Sequence, residues 1–184
     1  MKKICFLFLF CSIAAASFVS CTKSSTSETS YDEKSYVEIC GLKWATKNVG
    51  AIEDNPYGNL YTYEQARKAC PEGWRLPTSD ELWQLSLLHS EIVNYDGMNG
   101  VWFSGSTPYK DGVDAVFFPL AGSDWGDGDG KEDVDSSGIY WSSTPHRIDY
   151  AYSLCIIGVQ DGSVSIGFDY DDRYCEFSVR CVKD

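Results

Sequence analysis

Beyond residue 100 the chain offers only short runs of β-branched and aromatic residues cut apart by Gly, Asp and Pro: VWFSG, DAVFFPLAG, GIYWSST, YAYSLCIIG, GSVSIGF and FSVRCVK. Runs of that length between turn formers read as strands. Asp161-Gly162, lying between two of them, is a dipeptide that closes a hairpin. Upstream, YVEIC and LKWATKNVG look like two more short strands. Helical signals are confined to the segment between these groups. Thr62 with Gln65 forms a capping box ahead of YEQARKA, which Cys70-Pro71 ends. Thr78 with Glu81 caps a second helix in WRLPTSDELWQLSLLH, where Leu82, Leu85 and Leu88 share one apolar face. The expected fold class is α+β, with two helices early and an antiparallel sheet with long loops.

The N-terminus carries a different signal. Lys2 and Lys3 precede an apolar run and then small residues ending at Cys21, the pattern of a secretory signal over residues 1–20. SFVS before Cys21 resembles the box of a bacterial lipoprotein signal, which makes Cys21 the expected lipidated first residue. An ordinary cleaved signal is the alternative. Residues 21–35 have almost nothing to bury and read as a flexible tether, so the folded domain is expected over 36–184.

Charge narrows the partners. The signal contains Lys2, Lys3 and no acid, so of the chain's 15 basic side chains 13 remain beside 27 acidic ones. That balance argues against nucleic acid and against electrostatic adsorption to anionic lipid, while leaving a lipid anchor untouched.

Export implies an oxidising compartment, where cysteines are disulfide candidates first. Setting aside Cys5, Cys11 and Cys21 leaves Cys40, Cys70, Cys155, Cys175 and Cys181, an odd number. In RYCEFSVRCVKD, a single strand from Cys175 to Cys181 holds the two sulfurs roughly 20 Å apart. A disulfide needs Cα atoms within about 7 Å, so the two are not expected to pair, and the same spacing opposes a zinc clip.

YGNLYTYEQARKACPEGWRLPTSDELWQL, FFPLAG, IYWSST and FSVRCVKD, with WATKNVGA as an opening, resemble the Fibrobacter succinogenes major paralogous domain across 36–184. That family is similar to C-type lectin-like domains and to the formylglycine-generating-enzyme fold, and it is common in exported bacterial lipoproteins. The resemblance implies a lectin-like domain in which Cys70, at the end of the first helix, is bridged to Cys181 in the last strand. Cys155 and Cys175 stand where the family usually has other residues. They form either a second bridge between neighbouring strands, the favoured reading, or exposed thiols, and Cys40 is then the odd one, buried or unpaired.

Two further stretches bear on function. SDWGDGDGKEDVDSSG places Asp124, Asp127, Asp129 and Asp133 close together on flexible backbone, a candidate calcium site, although Lys131 breaks the EF-hand order and a solvated acidic loop explains the same residues. The sugar-binding triplets EPN, QPD and WND are absent, which leaves a calcium-free aromatic platform. Trp102, Trp125, Tyr140, Trp141, Tyr150, Tyr152, Tyr170 and Tyr174 are its candidate members, and most of the tryptophans are expected in the core.

Enzyme chemistry is not expected. Cys175 and Cys181 superficially resemble the cysteine pair of the formylglycine-generating relatives, but the arginine-rich motif around it is missing; a Cys155/His146 or Ser/His pairing carries little weight. The residues in HRIDY, LCIIG and GFDYDDRYCE, set between the anchors WSST, AYS, DGSVS and FSVRCVKD, are largely of the kinds produced when a lectin-like scaffold is diversified by mutagenic reverse transcription at Asn codons. The expectation is therefore an outer-membrane lipoprotein, anchored through Cys21, that binds a glycan or protein without catalysis. Its expected surface comprises Trp125, His146, Arg147, Asp149, Tyr150, Tyr152, Asp169, Tyr170, Asp172 and Tyr174. The competing expectations are a structural envelope lipoprotein without a specific ligand and, behind it, a formylglycine-generating-like enzyme.

Overall fold

The structure, a computed structural model, describes residues 36–105, 114–158 and 162–184. The expected signal, Cys21, the tether and Asp161 lie outside the described residues. Among those described, no helix is long and apolar enough to cross a membrane.

The expected two-helix α+β lectin-like fold is not what forms. The described residues make eleven strands in three sheets and two short helices: β1 Tyr36–Ile39, β2 Leu42–Ala45, β3 Leu60–Tyr61, α1 Tyr63–Ala66, α2 Ser79–Ser86, β4 His89–Tyr95, β5 Met98–Ser104, β6 Ala115–Pro119, β7 Ser137–His146, β8 Tyr150–Gly158, β9 Val164–Asp172, β10 Phe177–Ser178 and β11 Val182–Lys183. The sheets run β1-β2-β11, β3-β10-β7-β8-β9 and β4-β5-β6, so the fold is mostly β and sandwich-like.

Both helices begin where the capping boxes place them. Gln65 Oε1 accepts from Thr62 N at 2.9 Å, and at the second cap Thr78 N donates to Glu81 Oε2 at 2.7 Å while Thr78 Oγ1 accepts from Glu81 N at 3.2 Å. They stop early. The backbone of α1 tightens at once into three-residue bonds, Lys68 N to Gln65 O at 3.0 Å and Ala69 N to Ala66 O at 3.2 Å, so it amounts to one turn. Past α2, Leu88 and His89 do not continue the helix. His89–Tyr95 pairs antiparallel with β5 through a turn at Asp96 and Gly97, both at positive φ, 50° and 80°. The Asp-Gly signal ahead of MNGVWFS was there to find this hairpin.

Two apolar clusters cover opposite faces of the five-stranded sheet. Tyr140, Leu154 and Ile156 meet Val101, Phe103, Val116 and Phe118 of the β4-β5-β6 sheet, with Leu82 and Leu85 of α2 and Trp44 of β2. Ile139, Trp141, Ala151 and Phe177 meet Tyr63 and Ala66 of α1 on the other face. Tyr140 and Trp141, candidates for the aromatic platform, are fully buried, one in each cluster.

The C-terminal run is not one strand. β10 belongs to the five-stranded sheet and β11 to the β1-β2-β11 sheet, so the chain changes sheets between Ser178 and Val182. Arg180, 1 % exposed, pins that crossing: Nη1 donates to Ala45 O at 2.7 Å, Nη2 to Phe117 O at 2.9 Å and Nε to Asn48 Oδ1 at 3.0 Å. Just past it, Cys181 is bonded to Cys70, with Cα atoms 5.8 Å apart across 111 residues of sequence.

Candidate functional site

The five-stranded sheet ends in an exposed aromatic group. In the β7–β8 pairing the register slips between Trp141 and Pro145, so Ser142, Ser143 and Thr144 bulge opposite Tyr152. Ser142 Oγ fills the gap by donating to Tyr152 O at 2.8 Å. The bulge re-aims the strand, and His146 comes over the rings of β8 and β9. Its imidazole stacks on Tyr170 at 4.1 Å and 27°, meets Tyr152 edge-on at 4.9 Å, and brings Nδ1 to 3.0 Å from Tyr152 Oη. Tyr150 closes the group, its ring perpendicular to Tyr170 at 5.8 Å.

The β8–β9 register explains why these rings share a face. Tyr152 pairs with Tyr170 and Leu154 with Phe168, and cross-strand partners point the same way. Leu154 lies under α2 in the core, whereas Tyr170 lies beyond its cover and is 47 % exposed. The turn that carries the group is clamped by Arg173, whose Nε donates to Tyr150 O at 3.2 Å and Nη2 to Arg147 O at 3.1 Å. The same guanidinium sits 4.8 Å over the Tyr63 ring and 3.7 Å from Glu64, tying the turn to α1. Nothing in the linear sequence marks Arg173 as this clamp, because its partners lie 23 and 26 residues away.

The remaining expected surface residues divide. Arg147 and Asp149 are exposed in the turn, with Arg147 in a left-handed conformation at φ 57°. Trp125 and Tyr174 join a neighbouring segment: Asp124 and Glu176 pair backbone to backbone, Tyr174 lies over Gly126 and hydrogen-bonds Asp172 at 3.2 Å, and the Trp125 ring packs edge-on against Phe177 at 5.4 Å. Asp169 turns to the strand edge, where it accepts from Tyr170 N at 2.8 Å.

The cysteine expectations are corrected on this side. Cys155 and Cys175 are free thiols, so the expected second bridge is not formed. Cys175 is buried rather than on the exposed face, its Sγ facing Trp125 O at 3.7 Å. Burial, followed by Asp171 and Asp172, pushes its thiol up to about 11. Cys155 is raised in the same way by burial, then by Asp171 and Asp169. Both are thereby held as poor nucleophiles. Cys40 is exposed, at φ 53° in the β1–β2 turn.

The acidic loop does not gather its carboxylates. Asp124 Oδ1 accepts from Gly126 N at 2.8 Å and Asp127 Oδ1 from Asp129 N at 3.2 Å, each closing a local turn. Asp133 takes a left-handed conformation at φ 58°, and the Asp135 carboxylate is held by Tyr57 Oη and Asn99 N. Among the described residues no three His, Cys, Asp or Glu side chains are placed to hold a metal ion.

Trp102, the other ring singled out in the sequence, lies elsewhere. It walls a cavity of about 490 Å³ together with Tyr95 and Phe117, between the loop after β2 and the outer face of β5 and β6. These three rings pack on one another at 5.2–5.4 Å, and Lys47, Glu53 and Asp96 bring charges of both signs to the lining. That mixture selects no ligand class.

The sequence pattern of the Fibrobacter succinogenes major domain matches residues 21–183. No curated protein and no solved structure gives a match.

Proposed function

The chain belongs to the Fibrobacter succinogenes major domain family, and from that premise we propose that it is a non-catalytic binding module of the cell envelope, anchored through Cys21 and taking a glycan or protein ligand on the aromatic end of the β7-β8-β9 face. The observation that carries this reading is the stacking of His146 on Tyr170 within a group of four rings that are left partly exposed. Rings held rigid by one another lose little entropy on binding and offer flat apolar faces with polar edges, which suits sugar rings and protein side chains alike. Of the nearby thiols Cys175 is buried and Cys155 half-buried, both are raised, and the histidine faces tyrosines; none of this favours a nucleophilic reaction.

One observation also suits diversification of this segment. Trp141, Ser142, Ala151, Ser153 and Phe177–Cys181 of the anchors are buried, while Arg147, Ile148, Asp149, Tyr170 and Tyr174 between them are exposed; residues 162–165 of the DGSVS anchor are not buried, and Leu154, Ile156 and Cys175 between the anchors are. Such a scaffold tolerates change at the exposed positions without loss of fold. An adjacent template repeat and a reverse transcriptase gene are the expected genetic companions; their absence removes this part of the reading.

Glycan and protein arrays probed with the purified chain, with calcium and with chelator, test the proposal. Binding that falls about tenfold or more in Tyr170→Ala and His146→Ala, each still folded with a cooperative unfolding transition, and no dependence on calcium, is the expected result. Silence on both arrays, or binding indifferent to both substitutions, overturns it.

A further inference from the structure

The five-stranded sheet is open along one edge. β9, nine residues from Val164 to Asp172, pairs with β8 on one side, and among the described residues no strand lies on the other. Arg173 N reaches Asp149 O at 3.0 Å across the β8–β9 ladder, whereas Tyr170 N turns away from it and donates to the Asp169 carboxylate at 2.8 Å. By alternation, the N–H and C=O groups of Val164, Ile166, Phe168 and Tyr170 point out from the sheet. Such a row is a template for another extended segment. Apolar surface adjoins it. The Trp83 ring, 52 % exposed, packs at 5.3 Å on Phe168 in the middle of β9, and Leu87, one turn further along the same side of α2, is 62 % exposed.

We infer that the occupant of this edge is a second copy of the chain, its β9 running antiparallel to the first about a two-fold axis at Phe168. Charge along the strand selects self-pairing. Val164, Ser165, Ile166 and Gly167 are uncharged, whereas Asp169, Asp171 and Asp172 lie in the other half. The one symmetric register that uses all nine residues lays each acidic half on its partner's uncharged half. Asp169 then faces the partner's Gly167, Asp171 the partner's Ser165 and Asp172 the partner's Val164. Tyr170 N exchanges its Asp169 acceptor for the carbonyl of the partner's Ile166. Moving the axis to Tyr170 would set Asp169 opposite the partner's Asp171, a repulsion that a chain of net charge −12 does not offset. At the axis the two Phe168 residues pair with Cα atoms about 5.5 Å apart, which brings each Trp83 ring beside the partner's Phe168. This assignment is independent of what the His146–Tyr170 group binds.

Sedimentation equilibrium of the purified chain across the micromolar range tests this, with a monomer–dimer equilibrium as the expected result. Gly167 is exposed, with open space where a Cβ would stand, so side chains placed there spare the fold. Gly167→Asp should weaken the dimer about tenfold or more by facing the partner's Asp169, and Gly167→Lys should tighten it by a similar factor, because the symmetry uses that pair twice. Trp83→Ala should weaken it as well, each variant keeping a cooperative unfolding transition. A chain that stays monomeric throughout, or a dimer indifferent to both Gly167 substitutions, overturns the inference. A monomer whose 164–172 amides gain hydrogen-exchange protection from an added alternating Val-Lys peptide overturns the second copy in favour of a foreign strand.

Discussion

Arg180 Nε donates to Asn48 Oδ1 at 3.0 Å across 132 residues of sequence, inside the protein, where the chain leaves one sheet for another. Its Nη1 and Nη2 bond the carbonyls of Ala45 and Phe117, so one side chain joins β2, β6 and the C-terminal segment. The guanidinium also lies 4.8 Å from the Phe118 ring.

Replacing Arg180 by Met strands those oxygens without their donor in a dry setting. A loss of about 3–5 kcal/mol in urea unfolding is expected, and Lys recovers only part of it because its ammonium lacks the planar fork. A change below about 0.5 kcal/mol means that the crossing is held by packing alone.

The Cys70–Cys181 bond closes a loop of 111 residues. In the chain-entropy account its removal by a Cys70→Ser, Cys181→Ser double substitution costs about 4–5 kcal/mol. A non-reducing peptide map should show this crosslink and no bond between Cys155 and Cys175.

The three free thiols among the described residues differ in access. Maleimide labelling of the native protein should modify exposed Cys40 first and leave Cys175 unmodified until unfolding, because burial both shields it and holds it protonated. Cys40 has a left-handed backbone next to Gly41, at φ 74°, the place of Asn in an Asn-Gly turn. Cys40→Asn should therefore stabilise the protein by about 0.5 kcal/mol, read from its unfolding midpoint.

Asp171 gives the pH dependence. Burial raises its carboxyl above the ordinary range; the Ser153 hydroxyl, which donates to it, pulls the other way, and Asp169 and Asp172 add to the rise. A raised acid binds its proton more tightly in the folded state. Its favourable contribution is thus complete below the unfolded value and fades as pH climbs through the folded one. Asp171→Asn should raise the melting temperature at pH 7, and its advantage over the native chain should shrink as pH falls through the acid range. An advantage independent of pH points to a cause other than this titration.

Local chemistry was enough to locate most elements. Capping boxes started both helices, YAYSLCIIG became β8 over the same residues, and the strands around Gly162 paired as a hairpin. The family motifs supplied the Cys70–Cys181 bond. These features depend on residues adjacent in the chain or on a motif with fixed partners. Helix length, sheet membership and the route of the last twelve residues were decided by tertiary contacts. α2 stops because the residues after it gain a paired strand with β5, and Cys175 is buried because the chain turns under Trp125 before it enters β10. The aromatic face shows the same division. The tyrosines and His146 were visible as residue types, but their meeting depends on a bulge in β7, the β8–β9 register and a clamp from Arg173. Sequence sets which rings are present; the pairing of distant strands determines which of them share a face with solvent.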